Sequence, residues 1–550
     1  MTDGGATTST QGDADHRTAV LDEAHVGDIF GALGTVRLSD DAPRRGWKAR
    51  LVTLLAIMGP GLIVMVGDND AGGVATYAQA GQNYGTSLLW TLLLLIPVLI
   101  VNQEMVVRLG AVTGVGHARL INERFGRFWG FFSVGDLFLL NFLTIVTEFI
   151  GISLAAAYFH VSPYIAVPIA AGLLIGITTT GNFRRWERAM FILIAGNLLL
   201  LPLAVMSHPD AGTVIHSAVV PAVQGGFSSN SVLLIIAIVG TTVAPWQLFF
   251  QQSNVVDKRI TPRWMAYERA DTVIGAFVVV IGASILMMAA AQAFKATPDA
   301  GRFADAGGVA AGLARHVGPA AGGIFALLLV DAAIIGASAV TLATSYAFGD
   351  VFGLRHSLHR GIKDARAFYG SYSAMVLVAA AIVLVPNAPL GVMTTAVQAL
   401  AGVLLPSATV FLLLLCNDNA VLGPWVNRPW LNALASAIVG VLLVLSLILV
   451  ISTVFPAVNV VSLFEILSAV LVAALLLSGG LMLRGRGRRA AATVMSSSDR
   501  AHWRMPPLEF LERPQWSTSR LAGMWGLRIY LLVAILLLIV KAVQLATAGH

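Results

Sequence analysis

The fold of this chain is decided by an apolar stretch that acids and glycines interrupt: residues 59–90 have the sequence GPGLIVMVGDNDAGGVATYAQAGQNYGTSLLW. Asp68 and Asp70 lie in its middle, where a charge is costly unless it faces a cavity or a partner. The glycines at 67, 72 and 73 free the backbone from helical geometry, so carbonyl oxygens become available beside the carboxylates and Asn69. The pattern predicts a cation site. The alternative is that one of the aspartates only caps a half-helix beginning near Gly72.

The composition excludes a soluble globular protein. Of the 550 residues, 57% are hydrophobic and only 12% are charged, and the mean hydropathy is +0.79. Soluble proteins are about 25% charged, whereas a membrane span needs about 20 mostly apolar residues. By that length rule the chain holds about 13 candidate spans, the first over 51–83, the sixth over 230–256 and the last over 524–546. We therefore expect a polytopic helical protein in a lipid bilayer.

Several function classes are disfavoured by the same counts. The net charge is +6, but the basic residues fall in loops, so we expect no nucleic-acid partner. Cys416 is the only cysteine, which excludes an intrachain disulfide and a cysteine metal cluster. A Ser/His/Asp set, an HExxH motif and a cysteine nucleophile are missing from the sequence, so we do not expect an enzyme. No cofactor is expected, and the sequence leaves the oligomeric state open.

Basic residues predict the topology. If the N-terminus is cytoplasmic, the internal loops carry most of them, as the positive-inside rule requires. These residues are Arg108, Arg119, Arg124, Arg127, Arg184, Arg185, Arg188, Lys258, Arg259, Arg263, Arg355, Arg360, Lys363 and Arg366. The external loops near 160, 207–229, 387–390 and 456–458 carry none, and 294–319 is the exception. We expect a multi-pass protein of the cell membrane with a cytoplasmic N-terminus.

A second interrupted span lies at the sixth position, where residues 241–247 have the sequence TTVAPWQ. Helix breakers in corresponding spans of two halves indicate an inverted-repeat transporter with a midplane site. The predicted fold is an all-α, LeuT-like 5+5 inverted repeat with discontinuous helices 1 and 6 and extra C-terminal helices. Its parts are a disordered cytoplasmic tail (1–46), two repeats (47–206 and 207–415), additional spans 11 and 12 (416–483), a cytoplasmic linker (484–523) and a last span with the C-terminus (524–550).

The first span resembles that of the NRAMP divalent-metal transporters, whose hallmark there is Asp-Pro-Gly-Asn followed by Ala-Thr and Gln-Ala-Gly. Without a gap, Asp70, Ala71, Gly72 and Gly73 fall on the four hallmark positions. Further similar segments are Arg108-Leu109-Gly110, Thr113-Gly114, Glu148-Phe149-Ile150-Gly151, Thr341-Leu342, Tyr346-Ala347 and Gln398 with Pro406. The similarity covers roughly residues 50–425. It implies a metal site formed by Asp68, Asn69, Asp70, Gly73, Thr241, Ala244, Gln247 and Gln398.

Departures from the family pattern concern the choice of ion. Ala244 stands where the family has a methionine, Trp246 replaces a histidine, and Gln251 replaces a second one. A thioether favours transition metals, whereas hard cations prefer oxygen ligands and retained water. Gly73 also replaces an asparagine, so we expect a wider site for a partly hydrated ion. This pattern resembles the NRAMP-related magnesium transporters and predicts Mg²⁺, with Mn²⁺ also carried. The alternative is that Ala244 reflects drift in a manganese or iron carrier.

Proton coupling in the family is associated with a third-span aspartate and with the sixth-span histidine. Ile145 and Trp246 occupy these positions here, so we expect uptake that is uncoupled from protons. Glu148 remains as an intramembrane acid, which is by default a functional candidate, but it could equally be structural. Glu148, Trp246 and Gln251 are therefore possible coupling or pathway residues. Two alternatives stay open: a proton-coupled Mn²⁺ or Fe²⁺ symporter, and an amino-acid carrier of the same fold.

Overall fold

Helices form nearly all the regular structure in this computed structural model, which describes residues 23–40, 42–386, 390–455, 457–484, 497–511, 523–526, 528–533 and 536. From residue 47 to residue 206 the helices are α1 (Trp47–Ile57), α2 (Pro60–Val66), α3 (Ala71–Tyr84), α4 (Leu89–Thr113), α5 (His117–Phe125), α6 (Arg127–Tyr158), α7 (Pro163–Thr178), α8 (Phe183–Gly196) and α9 (Leu200–Met206). The first span is bent by 58° between α1 and α2. It is then interrupted over residues 67–70 before α3 begins.

The other predicted break lies in the part of the chain that follows α9. The helices there are α10 (Ala211–Val219), α11 (Ser229–Thr242), α12 (Pro245–Asp257), α13 (Met265–Phe294), α14 (Ala306–His316), α15 (Pro319–Phe352), α16 (Arg366–Val383) and α17 (Leu390–Cys416). Ala244 is extended, and Pro245 occupies the first turn of α12. Proline lacks an N–H and suits that position, so it starts the second half of the span rather than continuing α11. Both predicted helix breaks are therefore present.

The remaining helices follow α17. They are α18 (Asn419–Leu422), α19 (Pro429–Val454), α20 (Val460–Arg484) and α21 (Ser497–His502). Nine helices of the described residues are long and apolar enough to cross a membrane, or up to 11 if each bent pair is one span. The expected number of about 13 is not confirmed within the described residues. Helix α7 is apolar but has only 16 residues, and most of the predicted last span lies outside the described residues.

An N-terminal hairpin replaces part of the predicted disordered tail. Strands β1 (Ile29–Gly31) and β2 (Gly34–Val36) pair antiparallel, with Ile29 opposite Val36. The Ala32 N–H donates to Glu187 Oε2 at 2.5 Å, and Lys258 Nζ lies 2.5 Å from Glu187 Oε1 with both side chains buried. Lys258 also donates to the Met58 carbonyl at the bend between α1 and α2 (2.8 Å). The hairpin and this ion pair close the end of the bundle at which α1 begins.

A buried histidine near this end predicts acid sensitivity. His117 begins α5, outside the spans, with its Nδ1 2.8 Å from Gln252 Oε1. Burial lowers the pKa of His117 from 6.5 to about 4, against the opposing hydrogen bond to Gln252. The folded protein therefore keeps His117 neutral while the unfolded chain binds a proton below about pH 6.5. Above that pH, His117 should not reduce the free energy of unfolding. Between pH 7 and pH 5, we expect the free energy of unfolding to fall by about 2 kcal/mol because of this residue.

Thermal unfolding of the detergent-solubilised protein at pH 7 and pH 5 checks this expectation. His117→Gln should reduce the difference between the two midpoints, because the glutamine cannot titrate. The matched control is His216→Gln, since His216 is exposed. An undiminished difference in His117→Gln would contradict the assignment.

Candidate metal-binding site

The interrupted part of the first span supplies the acidic residues. Asp68, Asn69 and Asp70 are 1%, 4% and 4% exposed, so all three are buried between α2 and α3. The Asp68 and Asn69 N–H groups still donate to Met65 and Val66 three residues back, at 3.2 Å each. The helix thus tightens into a last turn and stops, leaving two carboxylates inside the bundle. None of the ion pairs among the described residues involves either aspartate.

Asp70 caps α3 and contacts Glu148. Its Oδ1 accepts the Gly73 N–H at 2.7 Å, the bond of a helix N-cap. Glu148 of α6 is fully buried, and its Oε2 accepts the Ala71 N–H at 3.0 Å. The two acids lie close together, since a Cβ atom on Gly336 would be 2.8 Å from Asp70 Cβ and 3.0 Å from the Glu148 carboxyl carbon. Two buried carboxylates this close repel each other unless a proton or a cation lies between them.

Asp68 faces the second break through an amide chain. Its Oδ1 accepts a hydrogen bond from Gln247 Nε2, on the first turn of α12. Gln247 Oε1 in turn accepts from Gln103 Nε2 of α4 at 3.2 Å. Asp68 Oδ2 and Thr241 Oγ1 are buried and have no hydrogen-bond partner in the described structure. Two oxygen ligands beside the breaks are therefore uncommitted.

Gln398 of α17 comes to the same place. A Cβ atom on Gly72 would lie 1.7 Å from Gln398 Nε2 and 3.3 Å from Asp70 Oδ1, so only glycine at 72 admits the amide beside the acid. Gly73 does not widen the site as expected from the sequence. A Cβ atom there would meet the Asp68 carbonyl oxygen at 2.9 Å and the Tyr77 ring at 3.3 Å. The space that the absent side chain leaves is filled by the chain itself.

Other predicted site residues have different partners. The Asn69 side chain donates to the Val279 carbonyl at 3.1 Å, and Gln251 donates to Thr272 Oγ1 at 2.8 Å, so both amides bond to α13. Trp246 packs against Phe250 and lies close to Gly67. Ala244, 7% exposed, precedes Pro245 and contributes no ligand side chain. The arrangement thus joins Asp70 with Glu148 and Gln398, and Asp68 with Gln247.

A small cavity of about 20 Å³ lies beside the acids and includes Ala71, which follows Asp70, and Gln398 in its lining. Its polar lining residues are Thr76, Gln79, Thr147, Asp305 and Thr394. Hydroxyl and amide groups replace part of an ion's hydration shell without binding it tightly. The narrow space therefore ends beside the first residue of α3, next to Asp70.

Two positions that the sequence analysis passed over complete the site. Gln103 lies in mid-helix on α4, where a buried amide needs a partner. Gly336 lets α15 approach both acids, because a Cβ atom there would lie 2.8 Å from Asp70 Cβ and 3.0 Å from the Glu148 carboxyl carbon. A polar residue inside an apolar span could have indicated Gln103. One glycine among many in a span gave no comparable signal for Gly336.

The donor set suits a hard or borderline divalent cation. Carboxylate oxygens from Asp68 and Asp70 and the Thr241 hydroxyl are the ligand types that Mg²⁺ and Mn²⁺ accept, whereas the Gln247 and Gln398 amides turn their Nε2 atoms towards the acids. Within the described residues, no group of three or more His, Cys, Asp or Glu side chains is placed to hold a metal. An ion at the break would therefore depend on few carboxylates, together with amides, backbone carbonyls or water.

Known proteins match this chain over most of its length. The curated "Divalent metal cation transporter MntH" of Bacillus subtilis is 27% identical over 438 residues, which cover 75% of this chain and 95% of that protein. The protein of the same name from Ralstonia nicotianae is 29% identical over 441 residues, covering 76% and 94%. The crystal structure of the Eremococcus coleocola manganese transporter has a TM-score of 0.60 at 19% identity, covering 81% of this chain and 97% of that one. That likeness shows a common fold.

The family model described as "Natural resistance-associated macrophage protein-like" (Nramp) matches residues 61–452. The matched range includes both helix breaks, Glu148 and Gln398, and it ends before the last helices. Since it covers well over half of the 550 residues, the chain belongs to the Nramp family of membrane proteins.

Proposed function

We propose that this protein carries divalent metal cations across the cell membrane and binds them at the break of the first span. The observation that carries the proposal is a pair of buried aspartates, Asp68 and Asp70. Among the ion pairs of the described residues, no basic side chain contacts either carboxylate. Buried charges are normally paired or coordinate metals. A transported ion is the partner that this site lacks. The protein is accordingly a transporter and not an enzyme.

Manganese is the ion that we propose first. The curated relatives are divalent metal cation transporters, and the solved structure with the same fold is a manganese transporter. The wider site expected from Gly73 was the main geometric reason to prefer Mg²⁺, and the Asp68 carbonyl and Tyr77 occupy that space. Mg²⁺ remains a second candidate because Ala244 offers no thioether, which leaves the site without a ligand that prefers transition metals.

A proton moves with the ion in this proposal. The expectation of uncoupled transport depended on Ile145 and Trp246, but Asp70 and Glu148 are two buried acids that lie close together at the site itself, and in this proposal they share one proton when no cation is bound. A divalent cation that binds the Asp70 carboxylate competes with this proton for the same oxygens. Entry of the cation from the cavity therefore transfers the proton to Glu148 or releases it to water. This mechanism needs no histidine at membrane depth.

Uptake into proteoliposomes tests the proposal. Mn²⁺ and Mg²⁺ uptake should be recorded at a fixed membrane potential, with a pH dye inside the vesicles. We expect saturable Mn²⁺ uptake that is faster when the outside is acidic, accompanied by internal acidification. Uptake of neither ion above the rate of empty liposomes would reject divalent-cation transport. Uptake without acidification would reject the coupling alone.

Restoring the thioether is expected to change the choice of ion. In Ala244→Met, a sulfur ligand would be placed beside Pro245 at the second break, where it favours Mn²⁺ over Mg²⁺. We expect the ratio of Mn²⁺ to Mg²⁺ uptake to rise about tenfold, the equivalent of about 1.4 kcal/mol. Ala244→Leu is the control, because it adds similar bulk without sulfur. An equal ratio in both variants would show that position 244 acts only through size.

A further inference from the structure

A basic pocket lies away from the metal site, at the end of the bundle where α13 and α19 begin. Four arginines from different segments meet there: Arg108 of α4, Arg269 of α13, Arg428 before α19, and Arg500 of α21. The transport proposal makes no use of them. Helix α21 also lies beyond the part of the chain that the Nramp family model matches, so this pocket is not explained by the family fold alone.

The pocket carries an excess of positive charge. Arginine stays protonated in proteins, and Glu104 is the only carboxylate among the residues that line the pocket. Glu104 is already engaged, since its two oxygens accept from Arg108 at 3.1 Å and from Arg269 at 2.5 Å. Four guanidinium groups against one carboxylate leave three positive charges uncompensated within the lining. Like charges held this close favour an anion between them.

Unused donors point to the same conclusion. The Nε atoms of Arg108, Arg269 and Arg500 are buried and have no hydrogen-bond partner in the described structure. Burial, followed by the charges of Arg428, Arg269 and Arg108, lowers the pKa of Arg500. Its guanidinium lies 4.1 Å from the centre of the Trp425 ring, which fixes its position without neutralising it. Three arginines that line the pocket therefore each keep a buried N–H donor without an acceptor among the described residues.

The apolar part of the lining indicates the kind of anion. Ile100, Val101 and Leu431 line the pocket beside the arginines, and Trp430 is 61% exposed at its edge. Tryptophan is enriched at the level of lipid headgroups, and basic pockets between membrane helices on the cytoplasmic side bind anionic headgroups. A phosphate with attached acyl chains would satisfy both halves of this lining. A free phosphate would satisfy only the arginines.

We propose that the pocket formed by Arg108, Arg269, Arg428 and Arg500 binds the phosphate of an anionic phospholipid. Arginine pairs with phosphate through two parallel N–H bonds, which suits Arg428 and Arg500 because neither has an acidic partner in the lining. The acyl chains would lie along Ile100, Val101 and Leu431. The bound lipid would connect α21 to α4, α13 and α19 without touching the metal site.

Native mass spectrometry of the full chain in detergent tests the proposal. Phosphatidylglycerol, phosphatidylcholine or inorganic pyrophosphate is added separately to delipidated protein, and the bound fraction is measured. We expect phosphatidylglycerol to be retained by the wild type and to fall at least about fivefold in Arg428→Gln/Arg500→Gln, since charge-assisted bonds to phosphate are lost. The matched control is Arg185→Gln/Arg355→Gln, which removes the same charge from exposed positions at the same end of the bundle. It should retain the lipid.

The outcomes distinguish the sources of phosphate. Equal retention of phosphatidylglycerol by the two double variants, or equal retention of phosphatidylcholine by the wild type, would overturn the proposal. Binding of pyrophosphate without retention of phosphatidylglycerol would also overturn it in favour of a soluble anion. The single variant Arg428→Gln provides a second measurement if the double variant does not fold, because Arg428 is exposed. In that variant we expect phosphatidylglycerol to raise the unfolding temperature less than in the wild type.

Discussion

Asp70→Asn is expected to reduce divalent-cation uptake by at least about 100-fold, the equivalent of about 3 kcal/mol. The substitution removes the carboxylate that lies at the break of the first span, at the capping position of α3 and beside Glu148. Asparagine is as good an N-cap as aspartate, so the bond to the Gly73 N–H can persist. The loss should therefore appear as a defect in ion binding and not in folding. Initial rates of Mn²⁺ uptake into proteoliposomes, normalised to the protein incorporated, measure it.

The control for this variant is Asp331→Asn. Asp331 is also an acid within a membrane helix, but its Oδ2 accepts from Asn197 at 3.0 Å rather than facing the break. We expect its uptake rate to stay close to that of the wild type. If both substitutions reduced uptake equally, the effect would be a general result of losing an acid within the membrane and would not be specific to Asp70. If Asp70→Asn transported normally while folding normally, the site would have to lie elsewhere.

The features of the site that could be predicted from the sequence are those encoded locally. One span has two acids among glycines, and another contains Ala244-Pro245. These residues end the helical backbone hydrogen bonding locally, whatever packs around them. The structure has both breaks where they were expected. The effect of Gly73 could not be predicted in the same way. Whether a missing side chain leaves space depends on Tyr77 and on the course of residues 67–70, which are set by packing.

The hairpin at residues 29–36 shows the same limit more clearly. Its sequence, IFGALGTV, is short, and a two-stranded hairpin is marginally stable by itself. The described hairpin is held by partners far along the chain, including Glu187 at Ala32 and Arg188 at the Ala32 carbonyl (3.2 Å). Composition alone therefore predicted disorder. Contacts over more than 150 residues of sequence separation decide otherwise.

Glu148→Gln is expected to separate ion transport from proton transport. The glutamine carbonyl can still accept the Ala71 N–H, and its amide can donate to Asp70, so the geometry at the start of α3 is preserved. The side chain can no longer take up or release a proton. We expect Mn²⁺ uptake to persist while the acceleration by an acidic exterior falls at least about tenfold, since one titrating group carries it. The pH dye should then report little acidification during uptake.

Comparing Glu148→Gln with Asp70→Asn shows which of the two fluxes, that of the metal ion or that of the proton, depends on each acid. Asp70 lies at the break of the first span beside Glu148, whereas Glu148 is fully buried on α6 and accepts from the Ala71 N–H, so we expect it to act on the ion only through Asp70. Loss of Asp70 should therefore stop both fluxes, and loss of Glu148 should stop only the proton. Glu104→Gln is the control, because Glu104 bonds to Arg108 and Arg269 instead. Undiminished acidification in Glu148→Gln would place the proton on a group other than this pair, and equal loss of both fluxes would make Glu148 part of the ion site.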